Sequence, residues 1–129
     1  MIDSEPKIIK GRIFVAQLIE DDLFYLNYQP NEHAVAADYQ AGYEAYLEIT
    51  NGRFVKIIIE NGEYTTIDNS ARLYLQSNKF RFKASAVVMH SIGQRIVYNF
   101  YLKFRNQDYP IKAFSSFDKA KEWLNSLNV

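Results

Sequence analysis

The chain has 129 residues, with 15 basic and 15 acidic side chains, so its formal net charge is zero at pH 7. This length is sufficient for one hydrophobic core, and we expect residues 1–129 to form a single domain. A neutral chain has no overall electrostatic attraction for nucleic acid, so no nucleic-acid partner is expected. Cysteine is absent, which excludes disulfides, thiolate metal sites and cysteine nucleophiles.

The start of the chain and the length of its apolar runs indicate where in the cell the protein is expected. The segment Met1–Pro6 is polar and acidic, unlike a secretory signal. No apolar run approaches the roughly 20 residues that a membrane-spanning helix needs. We therefore expect a cytoplasmic protein without a transmembrane segment. The ten tyrosines and nine phenylalanines indicate that some aromatic side chains serve a contact surface.

The first half of the chain predicts a hairpin and then a helix. Lys7–Glu20 and Leu23–Tyr28 are rich in strand-forming residues and are separated by the turn signal Asp21-Asp22. Asn31 predicts the N-cap of a helix beginning at Glu32, with His33 in its first turn. An apolar stripe with helical spacing supports that helix; its members are Val35, Tyr39, Gly42, Tyr46 and Ile49.

The next segment predicts the end of this helix and a buried strand. Asn51-Gly52 is a helix stop signal, because Gly52 readily adopts the left-handed conformation. The triplet Ile57–Ile59 is apolar throughout, which is typical of a parallel strand buried on both faces. A short helix around Ala71–Ser77 is expected to follow Asp68.

The last third of the chain repeats strand and helix twice. Lys83–His90 and Tyr109–Phe114 read as strands, and Ser91-x-x-Gln94 and Ser115-x-x-Asp118 are capping boxes that predict the two helix starts. The predicted order is ββαβαβαβα. It corresponds to an α/β fold with a mixed, mostly parallel sheet of about five strands, an antiparallel edge strand and about four helices.

Several of these patterns resemble the SpoIIAA-like family of the STAS superfamily, whose founding members are anti-sigma-factor antagonists of bacteria. The resemblance spans about residues 6–127 and is sharpest from Ser70 onward. The residues that carry it are Ser70–Arg72, Ala84–Val88, Arg95–Phe100, Tyr109–Ser115 and Ala120–Leu124. It implies a STAS fold and a non-enzymatic bacterial regulatory domain that acts by recognising another protein.

The resemblance also implies a regulatory serine. In anti-sigma-factor antagonists, a serine at the start of the second helix is phosphorylated by a partner kinase. The family pattern there is Asp-Ser-Ser-Gly, whereas this chain has Asp68-Asn69-Ser70-Ala71, with alanine in place of glycine. The resemblance implies that Ser70 matches the phosphorylation or partner site and that Asp68 matches its acidic neighbour. The alternative is that Ser70 is only a helix cap or a first-turn residue.

The third predicted helix is unusually apolar, since seven of the nine residues from Ile96 to Phe104 are apolar or aromatic. One arc is expected to face the sheet, and a polar strip to lie apart from it. The arc contains Ile96, Val97, Phe100, Tyr101 and Phe104, and the strip contains Arg95, Asn99 and Lys103. Tyr98 and Leu102 lie outside the arc. With Tyr101 they form a candidate patch for a homodimer, a protein partner, an apolar ligand or a membrane surface. The alternative is two scattered exposed side chains.

Catalytic signals are weak. There is no Gly-x-Gly-x-x-Gly, P-loop or Gly-x-Ser-x-Gly, and His33 and His90 have no metal-like spacing with carboxylates. We therefore expect no enzyme, no metal and no cofactor. Two alternatives to a protein-interaction domain remain. One is a carrier or sensor of a lipid or other apolar small molecule bound between helices and sheet. The other is an enzyme with a strand-end cleft near Asn61, His90 and Ser115.

Overall fold

Strands and helices alternate along most of the computed structural model, which describes residues 7–77, 80–103 and 108–129. In chain order the elements are β1 (Ile8–Lys10), β2 (Phe14–Glu20), β3 (Leu23–Tyr28), β4 (His33–Ala34), α1 (Ala36–Thr50), β5 (Lys56–Glu60), β6 (Thr66–Ile67), α2 (Asn69–Ser77), β7 (Ala84–Val88), α3 (Ile92–Leu102), β8 (Ile111–Phe114) and α4 (Phe117–Ser126).

Six of these strands form one mixed sheet in the order β1-β2-β3-β5-β7-β8. The pairs β1–β2 and β2–β3 are antiparallel, whereas β3, β5, β7 and β8 run parallel to one another. Helices α1, α2 and α3 connect the parallel strands, as parallel pairing requires. The predicted mixed, mostly parallel sheet with an antiparallel edge is therefore confirmed. Strands β4 and β6 form a separate short parallel ladder.

The first predicted strand is in fact two strands. Gly11 lies between them, and its backbone N–H donates to the Phe14 carbonyl oxygen at 2.8 Å. A side chain at Gly11 would overlap the Phe14 ring, so this close approach requires glycine. The sheet consequently gains an additional edge strand, β1, beyond the five that the sequence predicted.

The first helix begins later than the sequence predicted. Asn31 does not cap a helix; it has a left-handed φ of 59°, and the chain then enters β4, which contains His33. At the true start of α1, the Asp38 carboxylate accepts a hydrogen bond from the Val35 backbone N–H at 2.9 Å. The predicted stop at Asn51-Gly52 is confirmed, because both residues have positive φ where α1 ends.

The two predicted caps in the last third have different outcomes. Ser91 Oγ accepts a hydrogen bond from the Gln94 backbone N–H at 3.3 Å, so Ser91 does cap the start of α3. The N-cap of α4 is Ser116, whose hydroxyl accepts from the Lys119 N–H at 3.2 Å. The prediction of Ser115 was wrong by one residue.

The two faces of the sheet bury different kinds of side chain. Helix α4 packs on one face through a small, mostly aliphatic cluster of buried residues: Leu23, Ile58, Ala84, Ala86, Val88, Ala120 and Leu124. The opposite face carries α1 and α2 and buries large aromatic residues, among them Phe14, Phe24, Tyr28, Tyr46 and Phe82. None of the helices in the described parts of the chain is long and apolar enough to cross a membrane.

Candidate ligand-binding cavity

A cavity of about 1240 Å³ opens between the sheet and helices α1, α2 and α3. Its floor is the face of the parallel strands that points away from α4. The floor residues are Ile57, Ile59, Ser85, Val87 and Ile111. In the strand register Ser85 pairs with Ile57 on one side and Ile111 on the other. The volume exceeds the roughly 300–1,000 Å³ of most small-molecule sites, so the cavity has room for an organic ligand.

Aromatic side chains form a large part of the cavity wall. Nine of them line it: Tyr28, Tyr39, Tyr43, Tyr46, Tyr64, Phe80, Phe82, Tyr98 and Tyr109. Several rings contact one another, with centroids 5.0 Å apart for Tyr43 and Phe80 and 4.8 Å apart for Tyr46 and Phe82. Rings fixed by such edge contacts present large apolar surfaces with little freedom to reorient.

The cavity has a buried region and an exposed region. Toward the amino ends of the parallel strands, Tyr46, Phe82 and Ser85 are all more than nine-tenths buried. Toward the carboxyl ends, the lining residues Tyr64 and Gln94 are exposed. The cavity therefore has its mouth where ligands of open α/β sheets commonly bind. The floor from Ser85 to the lining residue Met89 spans roughly 13 Å at the rise of a β-strand.

Two buried tyrosine hydroxyls in the wall are held by hydrogen bonds. Tyr28 donates to the Asp38 carbonyl oxygen at 3.3 Å, and Tyr39 donates to Asn61 Oδ1 at 3.4 Å. Burial raises the pKa of both phenols well above the ordinary value, with a further contribution from nearby ionisable groups. Both side chains are thus neutral near pH 7 and act as positioned donors.

Two glycines shape the cavity. A Cβ atom at Gly42 in α1 would lie 2.5 Å from the Tyr28 hydroxyl oxygen, so glycine allows that tyrosine to pack under the helix. Gly93, in the first turn of α3, lines the mouth, and a Cβ atom there would meet only Ser91 Oγ, at 4.0 Å. The space beside Gly93 can accept a larger side chain without a clash.

The strand-end cleft predicted from the sequence is only partly assembled. Asn61 and His90 line the cavity mouth, but Ser115 does not line it. His90 Nε2 lies 3.2 Å from Glu60 Oε2, and Glu60 also accepts a hydrogen bond from Tyr25 at 2.6 Å. Within residues 7–77, 80–103 and 108–129, no three side chains are grouped in a way that would hold a metal ion.

Ser70 and Asp68 lie together at the start of α2. The Asp68 carboxylate accepts from the Ala71 backbone N–H at 2.8 Å and thus caps the helix, while Ser70 occupies its first turn. Ser70 Oγ donates to Asp68 Oδ1 at 2.7 Å and accepts from the Ala36 N–H at 3.2 Å. These hydrogen bonds hold the pKa of Asp68 below its usual value. Ser70 is exposed, and its hydroxyl joins the starts of α1 and α2.

Helix α3 is rotated opposite to the sequence prediction. Ile96, Val97 and Phe100, which were expected to face the sheet, are 61–68% exposed. Leu102, which was expected outside the core, is only 8% exposed, and Tyr98 is partly buried and lines the cavity. The described side chains do not include Tyr101, and Phe104 lies outside the described residues.

The polar strip of α3 explains this rotation. Asn99 Oδ1 accepts from the Ala113 N–H at 2.9 Å, and its Nδ2 donates to the Ala113 carbonyl oxygen at 3.3 Å. Arg95 Nη1 donates to the Met89 carbonyl oxygen at 2.7 Å. Backbone groups at the sheet margin need partners, and these two side chains supply them. The polar strip therefore faces the sheet, and the apolar arc faces outward.

Comparisons with known proteins assign the chain to a family. Residues 17–128 match a family described as a domain of unknown function, DUF7793. The chain belongs to the DUF7793 family. A search of the curated proteins finds no match for this DUF7793 chain.

The fold of the DUF7793 chain is shared with a solved structure. This is an uncharacterised protein of the DUF3478 family, with a SpoIIAA-like fold, from Shewanella loihica PV-4. The TM-score is 0.60 at 17% sequence identity, and the match covers 96% of this chain and 98% of that one. The SpoIIAA-like fold implied by the sequence resemblance is therefore confirmed. At this identity the likeness concerns the fold alone.

Sequence analysis gave a ligand site between helices and sheet as an alternative, but it did not identify most of the residues that line the cavity. One further signal was visible. The high tyrosine content indicated a contact surface, and seven tyrosines do line the cavity. Their positions are scattered from Tyr28 to Tyr109, so only the folded chain brings them to one wall. Ser85, Gly93 and Val97 gave no signal of their own.

Proposed function

We propose that this DUF7793 chain is a non-enzymatic binding domain that takes up an apolar small molecule, as a carrier or a sensor. The observation that carries the proposal is the cavity of about 1240 Å³ with its aromatic wall and apolar floor. Removing apolar ligand surface from water is favourable, and a preformed cavity with fixed walls limits the entropy lost on binding. The predicted carrier or sensor is therefore favoured over the enzyme.

The polar groups of the wall support binding rather than chemistry. The hydroxyls of Tyr28 and Tyr39 already have partners, and His90 is paired with Glu60. Groups that are engaged in this way orient the wall and give specificity to a ligand that approaches them. A nucleophile and base aimed at a common reacting atom are not assembled among the described lining residues.

A plug at the cavity mouth tests the proposal. Gly93→Phe adds a ring into the free space beside the mouth, and replacing glycine in a helix does not disfavour the helix. The probe is N-phenyl-1-naphthylamine, whose fluorescence rises in apolar surroundings. We expect the unmodified chain to bind the dye saturably, and Gly93→Phe to weaken binding at least about tenfold.

The matched control is Asn125→Phe, which adds the same ring to an exposed position of α4 on the other face of the sheet. This variant is expected to bind the dye like the unmodified chain. Circular dichroism and thermal melting verify that both variants fold. Absence of saturable dye binding, or equal binding by the Gly93→Phe variant, would overturn the proposal.

A second candidate function is protein recognition, which the outward face of α3 favours. Ile92, Ile96 and Val97 are each at least 65% exposed, although large apolar side chains usually form no such stripe on a solvated helix. Val97 also lines the cavity, so a ligand and a partner would meet on the same helix. A regulatory domain that senses a small molecule needs such a shared element.

Self-association is the simplest form of this second function. If the stripe joins two copies, the chain sediments as a dimer and the double variant Ile92→Lys/Ile96→Lys sediments as a monomer. Replacing the exposed polar residues Asp118 and Asn125 of α4 by lysine is the control. If the chain stays monomeric at high concentration, the homodimer hypothesis is wrong. Dye binding is then measured separately, because it tests the cavity and not the dimer.

A further inference from the structure

Ser85 is a polar residue in an otherwise apolar cavity floor. It is 3% exposed, and it lies between Ile57 and Ile111 in the parallel register. Its backbone N–H donates to the Pro110 carbonyl oxygen at 2.9 Å. Its side-chain hydroxyl lines the cavity and has no hydrogen-bond partner among the described residues. In the described parts of the chain no fully buried side-chain polar atom lacks a partner, so this hydroxyl is still reached by solvent from the cavity. A ligand that covers it displaces that water and must supply a hydrogen bond in its place.

The surroundings of Ser85 narrow the chemistry of a ligand there. Phe82 lies three positions earlier in the chain, and its ring contacts that of Tyr109 with centroids 5.7 Å apart. Both rings line the cavity. A flat ring can stack or make edge contacts with such a wall, whereas a saturated chain gains only dispersion contacts. The hydroxyl of Ser85 can both donate and accept a hydrogen bond.

We infer that the cavity binds a molecule whose buried end is an aromatic or conjugated ring carrying a hydroxyl or carbonyl group, and that Ser85 hydrogen-bonds this group. This inference rests on the proposed function and specifies the ligand class for the same cavity. A pure hydrocarbon placed at this end would displace solvent from the hydroxyl without replacing its hydrogen bond. The site therefore discriminates against plain alkyl chains.

Three probes separate the ring from the polar group. 2-Naphthol has both, 2-methylnaphthalene has the ring with a methyl group in place of the hydroxyl, and decan-1-ol has a hydroxyl on a saturated chain. Each is titrated against bound N-phenyl-1-naphthylamine. We expect 2-naphthol to bind more tightly than decan-1-ol, although decan-1-ol partitions more readily out of water.

The Ser85 variants test the hydrogen bond. Ser85→Ala is expected to weaken 2-naphthol binding roughly three- to tenfold, the effect of one hydrogen bond, and to leave 2-methylnaphthalene unchanged. Ser85→Thr retains a hydroxyl and is expected to retain 2-naphthol binding. Ser126→Ala on α4 is the control for loss of a serine hydroxyl outside the cavity.

The outcomes distinguish this inference from the proposed function. Equal effects of Ser85→Ala on 2-naphthol and 2-methylnaphthalene, or tighter binding of decan-1-ol than of 2-naphthol, would overturn the inference and leave apolar binding intact. If no probe, including the dye, binds the unmodified chain, the proposed function itself fails. Thermal melting of each variant identifies any that does not fold.

Discussion

The two faces of the sheet are built from the same strands but differ in how completely they are packed. On one face, small side chains such as Ala84 and Ala86 allow α4 to pack closely, and Leu124 is completely buried against the strands. On the other face, Ser85 and Val87 from the same strand line the cavity. Alternation along one strand thus separates the filled core under α4 from an open cavity.

The open face also depends on a different kind of contact. Its helices are fixed near their ends by polar groups: Arg12 and Asp38 at α1, Ser70 and Asp68 at α2, and Asn99 in α3. Directional hydrogen bonds can hold a helix in place without filling the space beneath it. The comparison teaches that the α4 face is filled throughout, whereas the opposite face combines a larger aromatic core with an open cavity.

The largest expected effect compares two adjacent residues of β5. Ile58 is fully buried in the α4 cluster, whereas its neighbour Ile59 lines the cavity. Ile58→Ala is expected to lower the free energy of unfolding by about 2–5 kcal/mol, the range for a filled core. Ile59→Ala is expected to lose only about 1 kcal/mol, because fewer packed neighbours are lost. Urea denaturation measures both, and equal losses would contradict the contrast between the two faces.

An intermediate effect is expected at the start of α1. The buried Asp38 carboxylate accepts from Arg12 Nη2 at 2.7 Å and from Arg12 Nε at 3.0 Å. Its hydrogen bond with Arg12, supported by that with the Val35 N–H, holds the pKa of Asp38 below its usual value. Asp38→Asn is expected to cost about 1–3 kcal/mol at pH 7, because charged hydrogen bonds and a helix-start contact are weakened.

The sign of the pH dependence follows from the lowered pKa of Asp38. The folded state binds this proton less readily than the unfolded state, so the contribution to stability is complete well above the ordinary carboxyl pKa of about 3.9. It is lost as the pH falls through the lower pKa of the folded state. Denaturation curves of Asp38→Asn should therefore approach those of the unmodified chain in acid. Asp118→Asn, in the first turn of α4, is the matched control for loss of an exposed carboxylate at a helix start.

The smallest expected effect is at Ser70. Ser70→Ala removes an exposed link between the starts of α1 and α2, and is expected to cost less than about 1 kcal/mol.

A phosphate on Ser70 stays a proposal. It would place a second anion beside the Asp68 carboxylate but at the favourable end of a helix. Mass spectrometry of protein from its native cells tests it, and recovery of only unmodified Ser70 peptide across growth conditions would count against a phosphorylation switch.

The sequence was sufficient for the fold because its signals are local. The apolar triplet at Ile57–Ile59 predicted a buried parallel strand, and Asn51-Gly52 predicted the end of a helix, both of which the structure confirms. The short strand β4 escaped prediction because two residues carry no periodicity. The start of α1 was misplaced because Asn31 has the residue type of a helix cap without its conformation.

The site was less predictable because its geometry depends on long-range contacts. Helical periodicity places Ile96 and Phe100 on one arc but does not say which way that arc points. The rule that apolar residues face inward failed for α3, because Asn99 satisfies the backbone of β8 at Ala113. The depth of the cavity depends on where α3 lies beside the sheet, which no pattern within one element records.

The same Asn99 amide has a consequence for aggregation. An edge strand presents unpaired backbone donors and acceptors, which can recruit a strand from another molecule. At Ala113 in the edge strand β8 these groups are already occupied by a side chain that imitates a neighbouring peptide unit. A foreign strand would have to expel Asn99 before it could extend the sheet there. Asn99 thereby protects the sheet against the addition of a foreign strand at this position.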